Sequence, residues 1–309
     1  MRFDVLVIGA GPAGLTAGLY VSRAGWRAAC LERLAPGGQA ALTSRVDNYP
    51  GFDEPVSGFE LCRRMEAQAK RFGVEVVQGE AQGLAVAAGS VVVRSAEATL
   101  RADAVVVASG ARPRELGVPG ETELRGKGVS YCATCDGPFF RNQAVAVVGG
   151  GDSAVEEAMF LARLCSRVYL VHRRDEFRAV KTVVERALND TKIVPVQSAV
   201  VTRIAGTDGV EAVEVRNVST GATDRLEVAG VFVYVGLLPN SEFLAGQVAR
   251  DGAGYVITDE DMLTSAPGVF AAGDVRKKSL RQISTAVGDG AIAAMSAVRH
   301  LQGLRAQSR

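Results

Sequence analysis

Two cysteines separated by two residues, Cys132 and Cys135, are the strongest chemical signal in the sequence, and Asp136 follows them directly. A C-x-x-C pair can form half of a zinc site, a redox-active dithiol or two unrelated thiols. Zinc requires two further ligands, whereas the other three cysteines are isolated and neither of the two histidines stands beside a second ligand. The pattern therefore favours a redox-active dithiol over a metal site.

A dithiol exchanges with disulfides as a thiolate, and the spent thiol must be reprotonated. Asp136 adjoins the pair and is the better candidate for that acid or base, because no histidine is near in sequence. The alternative role of Asp136 is that of a turn residue ahead of Gly137 and Pro138. A thioredoxin fold is not indicated, because the pair does not open a helix directly after a strand within a small domain of its own.

Two phenylalanines follow the dithiol, and three cysteines lie far from it. Phe139 and Phe140 belong either to the core or to an apolar docking patch for a protein disulfide, and the two interpretations carry similar weight. The isolated cysteines are interpreted as small buried hydrophobic residues. They are Cys30, Cys62 and Cys165.

Strand patterns alternate with helical patterns along the chain, which predicts an α/β fold with parallel sheets. The run FDVLVIG is a buried strand, LTAGLYVSRAGW is helical, and AACLE is a second strand that ends at Glu32. The same order returns in AVAVVG, VEEAMFLARLC and VYLVH. We therefore expect two dinucleotide-binding, Rossmann-like units in this chain of 309 residues.

A G-x-G-x-x-G turn formed by Gly9, Gly11 and Gly14 joins the first strand to the first helix. The first glycine permits a tight turn, the second lets the backbone approach a pyrophosphate, and the third lets helix and strand pack closely. The helix N-terminus offers free N–H groups to the phosphates, and Glu32 stands where a carboxylate can accept hydrogen bonds from ribose hydroxyls. Glycines also mark plain turns, but this context favours a dinucleotide site.

A later segment, TSAPGVFAAGD, favours a flavin at this first site. Its short apolar strand ends near Asp274, whose carboxylate could bind a ribityl hydroxyl of FAD. The next stretch is predicted to be a helix that begins near Gln282 and faces the pyrimidine edge of the flavin with its N-terminus.

A second glycine turn, GGGDSA, runs from Gly149 to Ala154. The strand VYLVH that comes after it ends in basic residues, whereas the strand after the first turn ends in an acid. An NAD site needs a carboxylate there, whereas an NADP site needs guanidinium groups for the 2′-phosphate. The turn is therefore predicted to bind NADPH. The alternative is a solvated basic patch partly neutralised by Asp175 and Glu176. The predicted nucleotide site consists of Gly149, Gly151, Asp152, Ser153, Ala154, His172, Arg173, Arg174 and Arg178.

Segments rich in glycine and proline at residues 109–121 and 236–246 are predicted linkers. They divide the chain into a discontinuous FAD-binding domain, residues 1–114 and 243–309, and an inserted NADPH-binding domain, residues 115–242, that carries the dithiol. The chain is therefore expected to cross between the two domains twice.

Charge and composition exclude several classes of partner. The chain carries 35 Lys and Arg against 34 Asp and Glu, so no net field favours nucleic acid or an anionic membrane. No apolar run approaches the ~20 residues of a membrane helix. The N-terminus opens with a strand and lacks the pattern of a secretory signal, so a cytoplasmic location is expected.

In this order, the motifs GAGPAG, GGQ, NYPG, CATCDG, GGGDSA, HRRDEFR, AAGD and RQ resemble the low-molecular-weight, bacterial-type thioredoxin reductases, which are FAD-containing pyridine nucleotide-disulfide oxidoreductases. The resemblance spans nearly the whole chain. It implies an NADPH-dependent thioredoxin-disulfide reductase, in which electrons pass from NADPH through FAD to the Cys132/Cys135 pair and on to a thioredoxin disulfide. It also implies a homodimer in which one domain rotates against the other.

The same resemblance implies roles for particular residues. Cys135 would face the flavin, Cys132 would attack thioredoxin, and Asp136 would be the acid. Ser109 stands where the family often has threonine, and residues 276–278 are locally basic, which bears on the choice of partner. Further FAD contacts are implied at Gly38, Gln39, Asn48, Arg281 and Gln282.

Two alternatives to this function differ in electron donor or in turnover. Relatives that use ferredoxin or oxygen usually lose the second glycine turn or its arginines, and both are present here. A non-catalytic redox sensor would bind the same cofactors without turnover, but an intact dithiol with its acid favours catalysis.

Overall fold

The computed structural model describes residues 1–43, 46, 48–87 and 89–307, without the side chains of Cys135 and Gln307. It forms two compact units, one from Met1–Arg112 with Leu238–Arg309 and the other from Pro113–Leu237. These limits fall two and five residues before the predicted boundaries at 114 and 242. We call them the split unit and the inserted unit.

The split unit contains one seven-stranded sheet with helices packed on it. Its strands are β1 (Arg2–Ile8), β2 (Ala28–Glu32), β3 (Glu75–Gln78), β4 (Gly83–Ala87), β5 (Ser90–Arg94), β6 (Thr99–Val107) and β17 (Val269–Ala271). The order is β3-β2-β1-β6-β5-β4, with β17 also paired to β6. Its helices are α1 (Pro12–Arg23), α2 (Gly58–Arg71) and α6 (Ile283–Gln307).

The inserted unit contains a five-stranded parallel sheet and a three-stranded antiparallel sheet. The parallel order is β11-β10-β9-β15-β8, and the antiparallel order is β12-β13-β14. The strands are β8 (Val129–Ser130), β9 (Ala144–Gly149), β10 (Arg167–Val171), β11 (Ile193–Val196), β12 (Ala199–Ala205), β13 (Ala212–Asn217), β14 (Thr223–Glu227) and β15 (Gly230–Tyr234). The helices are α3 (Ala133–Asp136), α4 (Asp152–Ala162) and α5 (Lys181–Leu188).

The α/β prediction is confirmed, with an addition. The strands β3, β2, β1, β6 and β17 run parallel, but β4 and β5 add an antiparallel hairpin to the same sheet. The central strands β1 and β9 are apolar almost throughout because both of their faces are covered, as is usual in parallel sheets. The antiparallel additions were not predicted, because short alternating strands carry a weaker signal than buried ones.

Both helices after the glycine turns begin earlier than predicted. The helix α1 begins at Pro12 and α4 at Asp152, each directly after the glycine that caps it, Gly11 or Gly151. Proline fits the first position of a helix, because the N–H that it lacks has no partner there. This early start places the free N–H groups of each helix against its turn.

The two predicted linkers pair with each other. They contain β7 (Ala111–Pro113) and β16 (Leu237–Pro239), which form a two-stranded sheet at the limits of the units. Ser109 Oγ donates to the carbonyl of Asn240 at 2.6 Å, and Asn240 Nδ2 returns a bond to the carbonyl of Ser109 at 2.8 Å. Among the described residues, no helix has the length and apolar composition that a membrane crossing needs.

Candidate functional site

The dithiol segment, Cys132 to Cys135, follows β8, and its last three residues lie in α3. The Sγ atom of Cys132 is disulfide-bonded, and the side chain of Cys135 lies outside the described part of the structure. The backbone N–H of Cys132 donates to Ser130 Oγ at 3.0 Å, and Thr134 Oγ1 lies 3.4 Å from Cys132 Sγ. The expectation that the pair does not open a helix after a strand within a small domain of its own is wrong only about the helix and strand, since the compact unit around them runs from Pro113 to Leu237. A short strand and a single helical turn do flank it, because two residues of β8 are too few to give a strand pattern.

The segment is supported from behind by α4 and β15. Ala133 is fully buried, and its N–H donates to the hydroxyl of Tyr234 at 2.6 Å. A Cβ on Gly137 would come within 2.9 Å of a methyl of Leu161, so only glycine lets the chain pack this closely on α4. The N–H of Asp136 donates to the carbonyl of Cys132 at 3.1 Å, which closes the turn.

The two phenylalanines after the dithiol have different environments. Phe140 packs edge-on against the buried ring of Phe232, with ring centroids 5.5 Å apart. Phe139 is 77% exposed. One residue therefore belongs to the core and the other is available to a partner. The isolated cysteines are free and buried, as expected: Cys30, Cys62 and Cys165. Burial raises the pKa of the Cys62 and Cys165 thiols to about 11.

In the first glycine turn, the first and third glycines are packed tightly against backbone, whereas the second glycine has open space beside it. A Cβ on Gly9 would lie 2.4 Å from the carbonyl oxygen of Ala108, and one on Gly14 would lie 1.9 Å from that of Gly9. By contrast, a Cβ on Gly11 would meet nothing nearer than 4.0 Å. The carboxylate of Glu32 accepts hydrogen bonds from the N–H groups of Ala10 at 2.8 Å and Leu34 at 3.0 Å. Glu32 therefore stabilises the backbone of the turn through these two hydrogen bonds.

Several residues expected around a flavin lie close to one another. Gly38 and Gln39 begin a 3-10 helix over Gly38–Leu42, and a Cβ on Gly38 would lie 3.4 Å from the Cα of Gly11. Asn48 Nδ2 donates to Gln282 Oε1 at 3.1 Å, although the two are 234 residues apart. The structure therefore brings the GGQ segment to the first glycine turn and joins Asn48 to the residue before α6.

Two polar groups near the start of α6 are buried without a hydrogen-bond partner among the described residues, Asp274 Oδ1 and Arg281 Nε. Burial raises the pKa of Asp274, and the charges of Lys278 and Arg281 counteract this shift. The guanidinium of Arg281 also stacks 4.1 Å over the ring of Tyr255. Orphaned buried polar atoms call for a partner, and a ligand hydroxyl or carbonyl would fit these two.

An ion-pair cluster next to Asp274 was missed at the sequence level. The carboxylate of Asp289, on α6, accepts from the N–H of Gly273 at 3.0 Å, from Arg276 at 3.1 Å and from Lys278 at 2.8 Å. The side chains of Arg276 and Lys278 are only 13% and 9% exposed. These two charges are therefore neutralised within the fold, and an effect of the basic stretch on the choice of partner stays a prediction. The available signal was Asp289 itself, a lone acid in an apolar helix.

The second glycine turn is tied to the loop after β10. The N–H of Arg178 donates to the carbonyl of Gly150 at 2.6 Å, and Asp152 Oδ1 accepts from the N–H of Val180 at 2.7 Å. Ala154, at the third glycine position, is buried, and Ser153 beside it is exposed. A Cβ on Gly151 would meet nothing within 4 Å, so the backbone there is open to a ligand.

The basic residues after β10 divide into one that is buried and three that are exposed. His172 is 4% exposed, stacks on Phe177 and packs against Gly150, where a Cβ would lie 2.3 Å from its ring. Burial lowers the pKa of His172, and nearby guanidinium charges lower it further. His172 is thus a neutral packing residue under the turn. Exposed guanidiniums belong to Arg173, Arg174 and Arg178.

These three guanidiniums make no ion pair within the described ranges of the chain, with Asp175, Glu176 or any other acid. Unpaired guanidiniums beside an open helix N-terminus can bind a phosphate. In the described part of the chain, no group of three or more His, Cys, Asp or Glu side chains could hold a metal ion.

Comparison with known proteins assigns the family. The model of the family described as pyridine nucleotide-disulphide oxidoreductase matches residues 3–290. The chain belongs to this family. Its thioredoxin reductase members are oxidoreductases that use FAD and NADPH, which confirms the predicted enzyme class and cofactors at family level.

Individual relatives agree with this assignment. A Listeria innocua protein named thioredoxin reductase is 46% identical over 305 residues, which cover 98% of this chain and 95% of that protein. The crystal structure of Lactococcus lactis thioredoxin reductase, in the FR conformation, has a TM-score of 0.88 and 43% identity over 97% of this chain and 99% of that chain. A ferredoxin-flavin thioredoxin reductase from Clostridium acetobutylicum has a TM-score of 0.55 and 26% identity, covering 99% of each chain.

Proposed function

We propose that this protein is a thioredoxin-disulfide reductase in which NADPH, through FAD, reduces the Cys132/Cys135 pair and the pair reduces a thioredoxin disulfide. One observation carries the proposal. A disulfide-bonded Cys132 stands in the same compact unit as an open glycine turn flanked by three unpaired arginines. The names of the relatives at 42–46% identity support thioredoxin as the substrate. The overall reaction converts NADPH, a proton and a disulfide into NADP⁺ and a dithiol.

The inserted unit would hold NADPH. The free N–H groups of α4, from Asp152 to Ala154, would bind the pyrophosphate, for which the open backbone at Gly151 leaves space. The guanidiniums of Arg173, Arg174 and Arg178 bind the 2′-phosphate, because they are exposed and carry no internal counter-ion in the described chain. Gly149 closes the turn, and His172 supports it from below by packing against Gly150.

The split unit would hold FAD. Gly9, Gly11 and Gly14 form the pyrophosphate turn, and the early start of α1 directs its N–H groups there. Glu32 would accept hydrogen bonds from the ribose hydroxyls, and Asp274, whose Oδ1 has no described partner, would accept one from a ribityl hydroxyl. When bound, FAD accepts a hydride from NADPH and supplies two electrons to a disulfide. The remaining proposed contacts are Gly38, Gln39, Asn48, Arg281 and Gln282.

The two thiols have different tasks in this proposal, which follow the family resemblance. Cys135 receives electrons on the flavin side, and Cys132 attacks the thioredoxin disulfide to form a mixed disulfide that Cys135 then resolves. Asp136 exchanges the proton with the departing thiolate. Phe139 is the exposed apolar contact for the protein substrate.

We also propose a homodimer and a cytoplasmic location. The homodimer follows from the resemblance. The location is supported by cysteine usage, because the free cysteines of the described chain stay buried as thiols, which suits a reducing compartment.

The decisive experiment is an anaerobic titration of the purified yellow protein. NADPH should bleach the flavin absorbance, and oxidised thioredoxin, chosen from a panel, should restore it. Bleaching by reduced ferredoxin alone would contradict the proposal and favour the ferredoxin-linked alternative. A flavin that bleaches but returns only with oxygen would favour a dithiol oxidase, and one that returns with neither would favour a redox sensor.

Replacement of Cys132 by serine separates the two half-reactions. In Cys132→Ser, NADPH should still reduce the flavin, whereas thioredoxin turnover should fall to background because the attacking thiol is gone. The matched control is Cys165→Ala, which removes a buried thiol far from the dithiol in sequence. Turnover in Cys132→Ser at the control's rate would show that Cys132 is not the attacking thiol.

A further inference from the structure

The hydroxyl of Tyr234 lies directly behind the dithiol segment. Tyr234 is the last residue of β15, and its oxygen accepts the N–H of Ala133 at 2.6 Å. Ala133 follows Cys132 in the chain and is fully buried. Buried backbone N–H groups are almost always paired, and in the described structure this hydroxyl is the partner that Ala133 has.

Tyr234 is itself held at its backbone. It pairs in register with Gly149 across the β15–β9 ladder, and a Cβ on Gly149 would lie 2.4 Å from the carbonyl oxygen of Tyr234. Its ring packs against the buried cluster that includes Ala133, Ala154 and Phe232. The hydroxyl is therefore carried by a strand of the parallel sheet and not by the dithiol turn itself.

The hydroxyl keeps one protonation state. Burial raises the pKa of Tyr234 well above its usual range, and the charges of Glu157 and Asp136 act in the same direction. The phenol is therefore neutral at working pH, and its oxygen remains a constant acceptor for Ala133.

The residue after Ala133 reaches the reactive sulfur. Thr134 Oγ1 lies 3.4 Å from Cys132 Sγ, and the N–H of Cys132 is bound to Ser130 Oγ at 3.0 Å. When the disulfide is reduced, a hydroxyl at this place can donate to the Cys132 thiolate and stabilise it. The direction of that hydroxyl depends on the turn at Ala133, because the two residues are consecutive in α3.

We propose that Tyr234 is a positioning residue for the dithiol: by holding Ala133, its hydroxyl keeps the hydroxyl of Thr134 against the sulfur of Cys132 and so sets the reactivity of that thiol. The role rests on the proposed function, in which Cys132 is the attacking thiol. Tyr234 lies about a hundred positions further along the chain than the cysteines, in a strand that no sequence motif links to them.

The experiment measures the reactivity of Cys132 in the reduced holoenzyme. Wild type, Tyr234→Phe and the control Tyr169→Phe are reduced, freed of reductant and alkylated with iodoacetamide over a pH series. Modification of Cys132 is distinguished from that of Cys135 by the fragment ions of the peptide that carries both cysteines. In Tyr234→Phe the thiol pKa should rise, and alkylation at neutral pH should slow by about tenfold, the size expected for one lost hydrogen bond to a charged group. Tyr169→Phe should match wild type, because its hydroxyl contacts only Arg167, at 3.4 Å, in the described chain.

A second variant separates positioning from folding. Thr134→Val should raise the thiol pKa of Cys132 as Tyr234→Phe does, and the double variant should add nothing further, since both changes remove the same hydrogen bond. An unchanged alkylation profile in Thr134→Val, or additive effects in the double variant, would overturn the proposal. If Tyr234→Phe loses flavin or folds poorly, an unchanged alkylation profile in Thr134→Val still overturns the proposal, because Tyr234 is proposed to act through Thr134.

The readout does not depend on the physiological reaction. Alkylation needs neither NADPH nor thioredoxin, so wild-type protein that fails to reduce thioredoxin would contradict the proposed function and leave the Tyr234 test intact. Conversely, normal thioredoxin turnover together with unchanged alkylation in Tyr234→Phe would overturn the role of Tyr234 alone.

Discussion

The two glycine turns are built on the same plan and differ in what surrounds them. In each, a Cβ on the first glycine would lie 2.4 Å from a carbonyl oxygen at the end of a neighbouring strand, that of Ala108 for Gly9 and that of Tyr234 for Gly149. In each, the second glycine caps the following helix and leaves open space. In the proposed function, the shared plan binds a dinucleotide at each turn, and the surroundings decide which dinucleotide it is.

The surroundings of the two turns differ first at the end of the strand that follows each turn and its helix, which is β2 in the split unit and β10 in the inserted unit. In the split unit Glu32 stands there and accepts two backbone N–H groups of its own turn. In the inserted unit His172 is buried, and the guanidiniums of Arg173 and Arg174 extend into solvent. An acid that is already bonded within the turn suits ribose hydroxyls, whereas free guanidiniums suit an added phosphate.

The largest expected effect concerns the third position, which is Gly14 in one turn and Ala154 in the other. Gly14→Ala would place a Cβ 1.9 Å from the carbonyl oxygen of Gly9, which the backbone cannot accommodate. We expect a loss of at least about 3 kcal/mol in stability, the upper end for overpacking, together with loss of bound flavin. Urea unfolding and the ratio of flavin to protein absorbance measure both.

The matched control is Ala154→Gly in the other turn. It removes one methyl group near the start of a helix, so we expect a loss of only about 1 kcal/mol and a normal flavin content. A Gly14→Ala protein as stable as Ala154→Gly would show that the two turns do not differ in this way.

The second effect concerns the choice of nicotinamide cofactor. Replacing both Arg173 and Arg174 with alanine should raise the KM for NADPH by roughly a hundredfold or more, since each charged hydrogen bond to the 2′-phosphate contributes about tenfold to a hundredfold. The KM for NADH, which lacks that phosphate, should change little. Arg163→Ala, an exposed arginine of the same unit, is the control. Equal losses for NADPH and NADH would contradict the assignment of the arginines.

Much of this arrangement was predictable because it is local. The strand AACLE occupies Ala28–Glu32 and AVAVVG occupies Ala144–Gly149, as their apolar runs predict. Helix starts were misplaced by three residues because the apolar pattern begins one turn after the cap, although Pro12 gave a signal for the earlier start. A glycine turn and the residue at the end of the next strand lie within about thirty residues of each other, so this part of a nucleotide site can be recognised from the sequence.

What could not be predicted depends on partners distant in the chain. The bond between Ala133 and Tyr234 spans 101 residues, and Asn48 meets Gln282 across 234. The burial of Arg276 and Lys278 depends on Asp289 in the next helix, so a basic stretch in the sequence becomes a neutralised cluster in the fold. Hydrophobic patterns and secondary-structure propensities describe local sequence only. They therefore do not predict such pairs, which form through tertiary packing.

The third effect concerns the second glycine of each turn, Gly11 or Gly151, which has open space beside it. A substitution should weaken cofactor binding at either turn, FAD at the first and NADPH at the second. Gly151 has φ −93° and ψ 177°, which any residue adopts, and a Cβ there meets nothing within 4 Å. Gly151→Ala should therefore unfold like wild type but raise the KM for NADPH about tenfold, because the methyl would fill space that the proposed function assigns to the pyrophosphate. Gly11→Ala should instead lower flavin content. A Gly151→Ala protein with normal NADPH kinetics would argue against a nucleotide at this turn.

The smallest effect concerns the helices after the turns. Six residues after the second glycine, α1 has the buried methyl of Ala17, whereas α4 has the carboxyl of Glu157. Burial, with a smaller contribution from the charge of Glu156, raises the pKa of Glu157 from 4.5 to about 7. The inserted unit thus carries a carboxyl at a position where the split unit is purely apolar.

This shift makes stability depend on pH in a defined direction. Below pH 4.5 the carboxyl is protonated in both the folded and unfolded chain, so burial carries no ionic cost. Between 4.5 and about 7 the unfolded chain ionises first, so stability falls as pH rises, and above 7 the full cost persists. Glu157→Gln should therefore be more stable than wild type by about 1–2 kcal/mol at pH 8, a figure reduced for partial exposure, and equal to it at pH 4.

Urea midpoints at the two pH values measure this difference in stability. Glu156→Gln should give a smaller gain at pH 8, because it removes only the weaker cause, and a gain in Glu157→Gln that is the same at both pH values would mean that Glu157 does not titrate as a buried acid.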